Sequence, residues 1–215
     1  LVMLDDGEQA AGEVYRLREA TTVIGRSEGQ VRLPHDALVS ARHAEIVRGG
    51  TARPYTWLLR DLGSSNGTFV RCGRAILRPD RLVLLGGRRL RFRPAEAAGA
   101  WAGAAEPAGT TLVDAAAVRA SVWPMLVETT QAAGGMELAL SEAELVLGRA
   151  GCGNTLEIAD PQLAPHHGRI FRDPGGQWII EAMPSLNGIW IQVGAVELTG
   201  VCRFQVGEQR FVFMS

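Results

Sequence analysis

Arg26, Ser40, Arg42, Ser65 and Asn66 hold the chemistry that this sequence offers. Arginine presents a planar, permanently charged fork of donors, and serine hydroxyls add hydrogen bonds without bulk. An asparagine amide both donates and accepts, so it can hold an extended backbone in register. Together the set suits an anion carried on an extended chain, with Arg42 as a second charge beside Ser40. Each residue falls where a strand-like run gives way to a turn: Gly25-Arg26, Ser40-Ala41-Arg42-His43 and Ser64-Ser65-Asn66-Gly67. Gly25 and Gly67 serve backbone geometry at two of those places.

The elements that must position these residues are short strands. Thr21-Thr22-Val23-Ile24 is β-branched and runs into Gly25. Apolar runs flank the tight Asn66-Gly67 turn on both sides, as in a hairpin. Val2-Met3-Leu4, Val14-Tyr15-Arg16-Leu17, Val31-Arg32-Leu33, Ala44–Val47, Tyr55–Leu59, Leu82–Leu85 and Leu90-Arg91-Phe92 alternate or run apolar, and no window there sustains a helical period. An antiparallel β-sandwich follows. From Pro94 to about Ala120 the texture turns to Ala, Gly, Glu and Pro, which predicts a linker, with a short helix possible over 112–118. Strands resume at Met125-Leu126-Val127 and continue to Phe211-Val212-Phe213.

The two β-regions are copies. Trp57 and Asn66 recur as Trp178 and Asn187, and Gly67, Gly73 and Gly86 recur as Gly188, Gly194 and Gly207, all at an offset of 121. Gly25-Arg26 returns as Gly148-Arg149 at 123 and His43 as His167 at 124, so loop lengths alone differ. A period this long predicts tandem domains, 1–94 and 121–215 with a linker over 95–120.

Gly25-Arg26, Ser40-Ala41-Arg42-His43 and Ser64-Ser65-Asn66-Gly67, in this order and spacing, resemble the forkhead-associated (FHA) domain. That family consists of β-sandwiches that read phosphothreonine in peptides. The resemblance covers most of 1–94 and, more weakly, 121–215. It implies an all-β protein of two tandem sandwiches, with Arg26, Ser40, Arg42, Ser65 and Asn66 holding the phosphopeptide. It also implies that His43 is a scaffold residue tying the binding loops together. Ala41 departs from the family, which often carries a larger polar or basic residue there.

The second copy breaks the pattern at the ligand. Ala164 replaces Ser40 and Leu186 replaces Ser65, while Arg149 and Asn187 remain. Two hydroxyl donors are lost, which predicts a degenerate copy with weak or no phosphopeptide binding.

Composition bounds the alternatives. A hydrophobic fraction of 47% predicts a globular chain. Residues 1–94 hold 16 arginines against 10 acidic residues, and the remainder 6 against 13, so an anion-binding front and an acidic back are expected. All 22 basic residues are arginine, which biased codon usage explains. Cys72, Cys152 and Cys202 are scattered and read as reduced thiols. Cys152 with His166 and His167 matches no standard metal spacing, so neither metal nor cofactor is expected. No run in these residues reaches the roughly eighteen apolar residues of a membrane span, and no leader opens them. A cytoplasmic protein is expected.

Gly25-Arg26-Ser27-Glu28-Gly29 matches the hydrolase elbow G-x-S-x-G, but that motif needs a helix where Gln30–Pro34 is strand-like. The arginines lack interleaved aromatics, which argues against nucleic acid. Asn66-Gly67-Thr68 is formally a glycosylation sequon and reads as a turn. The expectation is a non-enzymatic docking protein whose partners carry phosphothreonine, namely a Ser/Thr kinase or its substrates. The competing reading is a phosphate-independent scaffold of a larger assembly such as a secretion machine or its ATPase. Thr110 or Thr111, the latter followed by Asp114, could serve as an internal ligand if phosphorylated.

Overall fold

A computed structural model describes residues 1–4, 11–51, 53–95, 123–129 and 135–215; the linker core with Thr110, Thr111 and 112–118 lies outside them. The first repeat forms β1 (Val2–Leu4), β2 (Ala11–Val14), β3 (Thr21–Gly25), β4 (Val31–Arg32), β5 (Ala44–Gly49), β6 (Thr56–Asp61), β7 (Thr68–Cys72), β8 (Arg74–Ile76), β9 (Leu82–Leu85) and β10 (Arg88–Arg93). The second forms β11 (Met125–Glu128), β12 (Glu137–Ala139), β13 (Glu144–Arg149), β14 (Leu156–Ile158), β15 (Gly168–Arg172) and β16 (Trp178–Ala182). It ends with β17 (Ile189–Val193), β18 (Ala195–Glu197), β19 (Val201–Val206) and β20 (Gln209–Met214). Among the described residues there is no helix, so none is long and apolar enough to cross a membrane. The all-β expectation holds.

Two local differences stand out. Of the alternating run Val14–Leu17 only Val14 is in a strand, because pairing with β1 ends where Tyr15 N–H donates to Leu1 O at 2.8 Å. Arg74-Ala75-Ile76 forms β8 although three residues of mixed character hold too short a pattern to read.

The chain divides into two compact units, and each draws strands from both repeats. Unit 1 comprises Leu1–Arg71 with Trp190–Ser215, and unit 2 comprises Cys72–Ile189. The sequence repeats 1–94 and 121–215 therefore differ from the bodies that pack. The physical reason lies in the strand ladders.

In unit 1 one sheet runs β18-β6-β5-β3-β4, and the facing one contains β7-β19-β20-β1-β2. β6 takes β18 as its edge partner with Val196 opposite Leu59, and β1 lies beside β20 with Val2 opposite Val212. Between the sheets Ile24, Val31, Ala44, Ile46 and Leu59 of the first repeat meet Leu198, Phe204, Val206, Phe211 and Phe213 of the second. Trp57 meets Phe213 edge-on at 5.4 Å, and Phe204 stacks on Phe211 at 5.1 Å. Burying each such phenylalanine contributes roughly 1.5–3 kcal/mol, which commits the unit to strands from both repeats.

Unit 2 is built the same way with the repeats reversed. Its sheets are β14-β13-β15-β16-β8 and a ladder containing β12-β11-β10-β9. Here β8 of the first repeat pairs with β16, Ala75 opposite Ile180, and β10 pairs with β11, Leu90 opposite Glu128. Arg88 on β10 donates to both carboxylate oxygens of Glu128 at 3.1 and 2.9 Å and to Ala159 O at 3.0 Å.

The central hairpins stay within their own repeats. Glu45 on β5 faces Arg60 on β6, and Arg60 Nε lies 2.7 Å from its carboxylate. The second repeat reverses the charges, with Arg169 on β15 facing Glu181 on β16 and donating to it at 2.8 Å. Pairing β5 with β16 in the same register would set Glu45 against Glu181, and like charges directly opposite are destabilising.

Candidate functional site

The candidate site lies in unit 1, where β3, β6 and β7 end in loops. β3 delivers Gly25 at its edge and Arg26 just beyond. A side chain at Gly25 would run into the carbonyls of Ala41 and Glu28, so the glycine admits the loop that bears Ser40. That loop is clamped to the strand end by Arg26 N–H to Ser40 O at 2.9 Å and Glu28 N–H to Ala41 O at 3.1 Å.

His43 joins this loop to the β6–β7 turn from inside. Its ring is fully buried. Ser40 N–H donates to Nδ1 at 3.1 Å, which leaves Nε2 to carry the proton and donate to Gly67 O at 3.1 Å. The imidazole is thus neutral, and the Asp61 carboxylate lies 3.9 Å from Nε2. His43 thus bonds the Ser40 loop and the β6–β7 turn to one another.

The turn itself hangs on Asp61, a residue that motif reasoning passed over. Its Oδ1 accepts from Gly63 N–H and Ser64 N–H at 2.9 Å each, and its Oδ2 accepts from the Ser64 and Thr68 hydroxyls at 2.7 Å each. Burial alone would raise this carboxyl, but those hydrogen bonds outweigh it and hold the pKa below its ordinary value. Ser64 Oγ in turn accepts from Gly67 N–H at 2.9 Å, and Gly67 has a φ of 79°. The signal was present in the sequence as an Asp leading a Ser-Ser-Asn-Gly turn, the usual Asx arrangement.

The remaining expected site residues are those this scaffold leaves outside. Arg26, Arg42 and Ser65 are exposed. Among the described residues, neither guanidinium makes a hydrogen bond or ion pair. Ser40 Oγ accepts the Ser65 N–H at 3.1 Å, which brings the two serines together across 25 residues. Asn66 is half-buried and donates from Nδ2 to Leu38 O at 2.9 Å, so part of its amide holds the Ser40 loop. All five expected residues thus lie on adjoining loops of one unit.

The second repeat keeps the scaffold and Arg149 but has neither serine hydroxyl. Arg149 N–H donates to Ala164 O at 3.1 Å, His167 spans Ala164 N–H and Gly188 O, and Asn187 donates to Gln162 O at 2.8 Å. Every one of these bonds has its counterpart at the first site. Leu186, in the place of Ser65, is 58% exposed, and Ala182 stands where the first repeat has Asp61.

A further difference emerges only from pairing. Arg32 lies opposite Gly25, whereas Glu157 lies opposite Gly148. The Glu157 carboxylate gathers the N–H groups of Gly151, Gly153 and Asn154, and these bonds hold its pKa below the usual range. A positive charge beside the first site is thus replaced by a negative one beside the second.

The rival chemistries find little support in the fold. Residues after Ser27 enter strand β4 rather than a helix. The buried His167 ring is occupied on both nitrogens, and His166 Nδ1 lies 2.7 Å from Asn154 Oδ1. Among the described residues, no three His, Cys, Asp or Glu side chains gather as metal ligands would.

The family model named FHA domain matches residues 22–92 and 145–207, together more than half of the chain. The chain belongs to the FHA domain family. FHA domains are phosphothreonine-binding modules in protein interactions. One curated relative is the FHA domain-containing protein FhaA of Mycobacterium tuberculosis (strain ATCC 25618 / H37Rv), 47% identical over 70 residues. That match covers 32% of this chain and 12% of the relative's length. No solved structure matches. Both FHA segments run across the boundary between the two compact units, since 22–92 passes Arg71 and 145–207 passes Ile189.

Proposed function

We propose that this chain docks phosphothreonine-containing proteins in Ser/Thr kinase signalling in the cytoplasm, reading the ligand with Arg26, Ser40, Arg42, Ser65 and Asn66. The observation that carries this reading is the joining of Ser40 and Ser65 beside two exposed arginines whose guanidinium groups have no hydrogen bond or ion pair among the described residues. A phosphate dianion would meet both guanidinium charge and hydroxyl donors there. Asn66 would hold the peptide backbone beside the phosphate. The partner is a kinase or one of its substrates, and the chain acts by binding rather than by catalysis.

The test is titration with an oriented phosphothreonine peptide library alongside its unphosphorylated twin. Arg26→Ala removes the charge-assisted fork and should cost about 3 kcal/mol, roughly a hundredfold in affinity. Arg149→Ala should leave binding within twofold. Equal affinity for both peptide forms would overturn the reading.

Leu186 favours a second reading for the second repeat. An exposed leucine on a rigid turn suits an apolar contact made without phosphate, as in a scaffold of a larger assembly such as a secretion machine or its ATPase. Leu186→Asp would then weaken capture of that partner while phosphopeptide binding stays intact.

A further inference from the structure

We infer that the degenerate repeat is retained because it completes the phosphopeptide-reading unit, with Asp36 as the positioning residue that senses it. This rests on the function proposed above. Asp36 is buried, and its carboxylate faces two ways. Oδ1 accepts from Leu38 N–H at 2.9 Å, at the root of the Ser40 loop. Oδ2 accepts from Glu208 N–H at 2.7 Å, 172 residues away on the β19–β20 turn of the second repeat.

The loop held in this way carries most of the site. Leu38 O takes the Asn66 amide, Ser40 O takes Arg26 N–H, and Ser40 Oγ takes Ser65 N–H. On the other side of the clamp, Gly207 has a φ of 62°, and a side chain there would strike Asp36 Oδ2 and the Val39 side chain. The ligand loops of the first repeat are therefore set by a turn of the second.

Unit 2 contains the same clamp with the repeats reversed. Asp160 accepts from Gln162 N–H at 2.8 Å and from Gly87 N–H at 2.9 Å, and a side chain at Gly86 would strike its carboxylate. Gly86 belongs to the first repeat in sequence yet lies in unit 2, whereas Arg26 lies in unit 1. The two glycines thus form a matched pair whose effects on binding should run opposite to their sequence positions.

The experiment compares Gly207→Val and Gly86→Val in the full chain, reading phosphothreonine-peptide affinity and hydrogen exchange of the Leu38 and Ser65 amides. The expected result is at least a tenfold loss of affinity and faster exchange for Gly207→Val. Affinity and those amides should stay within twofold of the parent for Gly86→Val. Both substitutions set a side chain against the clamp carboxylate at equivalent positions, so a loss of affinity common to both would mark general destabilisation and overturn the inference. The opposite pattern would show that the first repeat closes on its own strands, and would overturn the inference.

A cysteine test decides the same point without any ligand and stands if Gly207→Val fails to fold. With the three native cysteines replaced by alanine, Leu58→Cys with Glu197→Cys should form an intrachain disulfide, since these residues are direct partners on β6 and β18. Leu58→Cys with Ile76→Cys should not. Cross-linking of the second pair instead of the first would overturn the exchange itself. If the parent chain bound both peptide forms equally, the functional reading would fall while the disulfide and exchange measurements still judged the clamp.

Discussion

Ser65 N–H donates to Ser40 Oγ at 3.1 Å, so a residue of the β6–β7 turn is hydrogen-bonded to one on the loop before β5. Because the oxygen is already the acceptor of this bond, the hydroxyl proton of Ser40 is left to point toward an outside acceptor. Ser40 therefore joins the loops and has a donor to offer to the proposed ligand. Ser40→Ala should lower phosphothreonine-peptide affinity by about tenfold to a hundredfold, the worth of one hydrogen bond to a charged group. Calorimetric titration checks this, and the affinity of Ser64→Ala gives the contrast for a serine turned inward onto Asp61.

The preserved scaffold of the second repeat makes the expected loss of phosphopeptide binding there reversible. Ala164→Ser combined with Leu186→Ser restores two hydroxyl donors beside Arg149, on loops already held by His167 and Asn187. The double variant should gain measurable binding to a phosphothreonine peptide when Arg26→Ala silences the first site. Adding Glu157→Gln should strengthen it further by removing a negative charge beside the loop. Titration that finds no binding in either combination would mean the scaffold bonds alone do not make a site.

Asp61 links the β6–β7 turn to pH. Its folded pKa lies below the ordinary value, so its contribution to stability is complete above the unfolded pKa of about 3.9 and is lost as pH falls through the folded value. Denaturant unfolding of unit 1 should therefore show Asp61→Asn less stable than the parent at pH 7, by about 1–3 kcal/mol. The difference should shrink as the pH is lowered and vanish in strong acid. A gap that persisted unchanged at low pH would place the stabilisation elsewhere.

Glu128 and Glu137 separate a buried ion pair from an exposed one within unit 2. The Glu128 side chain is 3% exposed beneath Arg88, whereas Glu137 is 42% exposed beside Arg93. Glu128→Ala leaves a half-buried guanidinium without its carboxylate and should cost about 3 kcal/mol or more. Glu137→Ala should cost less than about 1 kcal/mol. Thermal unfolding of the two variants measures the contrast.

Much of the candidate site is legible in the sequence. Arg26, Ser40, Arg42, Ser65 and Asn66 stand at turn positions whose chemistry is local, and the repeat supplied an internal comparison at Ala164 and Leu186. Asp61 was legible in principle through its Asx spacing. Asp36 and Glu157 were not: the Glu208 N–H that Asp36 accepts comes from 172 residues away, and strand pairing alone sets Glu157 opposite Gly148.

The sequence by itself determined an all-β chain with two copies of one sandwich pattern, the places where loops would gather, and which copy had lost its hydroxyls. These follow from residue types and from periods of two, which act within a few residues. Only the tertiary structure decided which strands close which sandwich. β8 and β18 are equivalents in the two repeats, as are β9 and β19 and β10 and β20. One cross-strand pair distinguishes β6 paired with β8 from β6 paired with β18: in the same register β8 would set Arg74 against Arg60, whereas on β16 it meets Glu181. That choice belongs to contacts more than a hundred residues apart, such as Trp57 with Phe213 and Asp36 with Glu208, and it makes the turn after β19 part of the site that Ser40 and Ser65 begin.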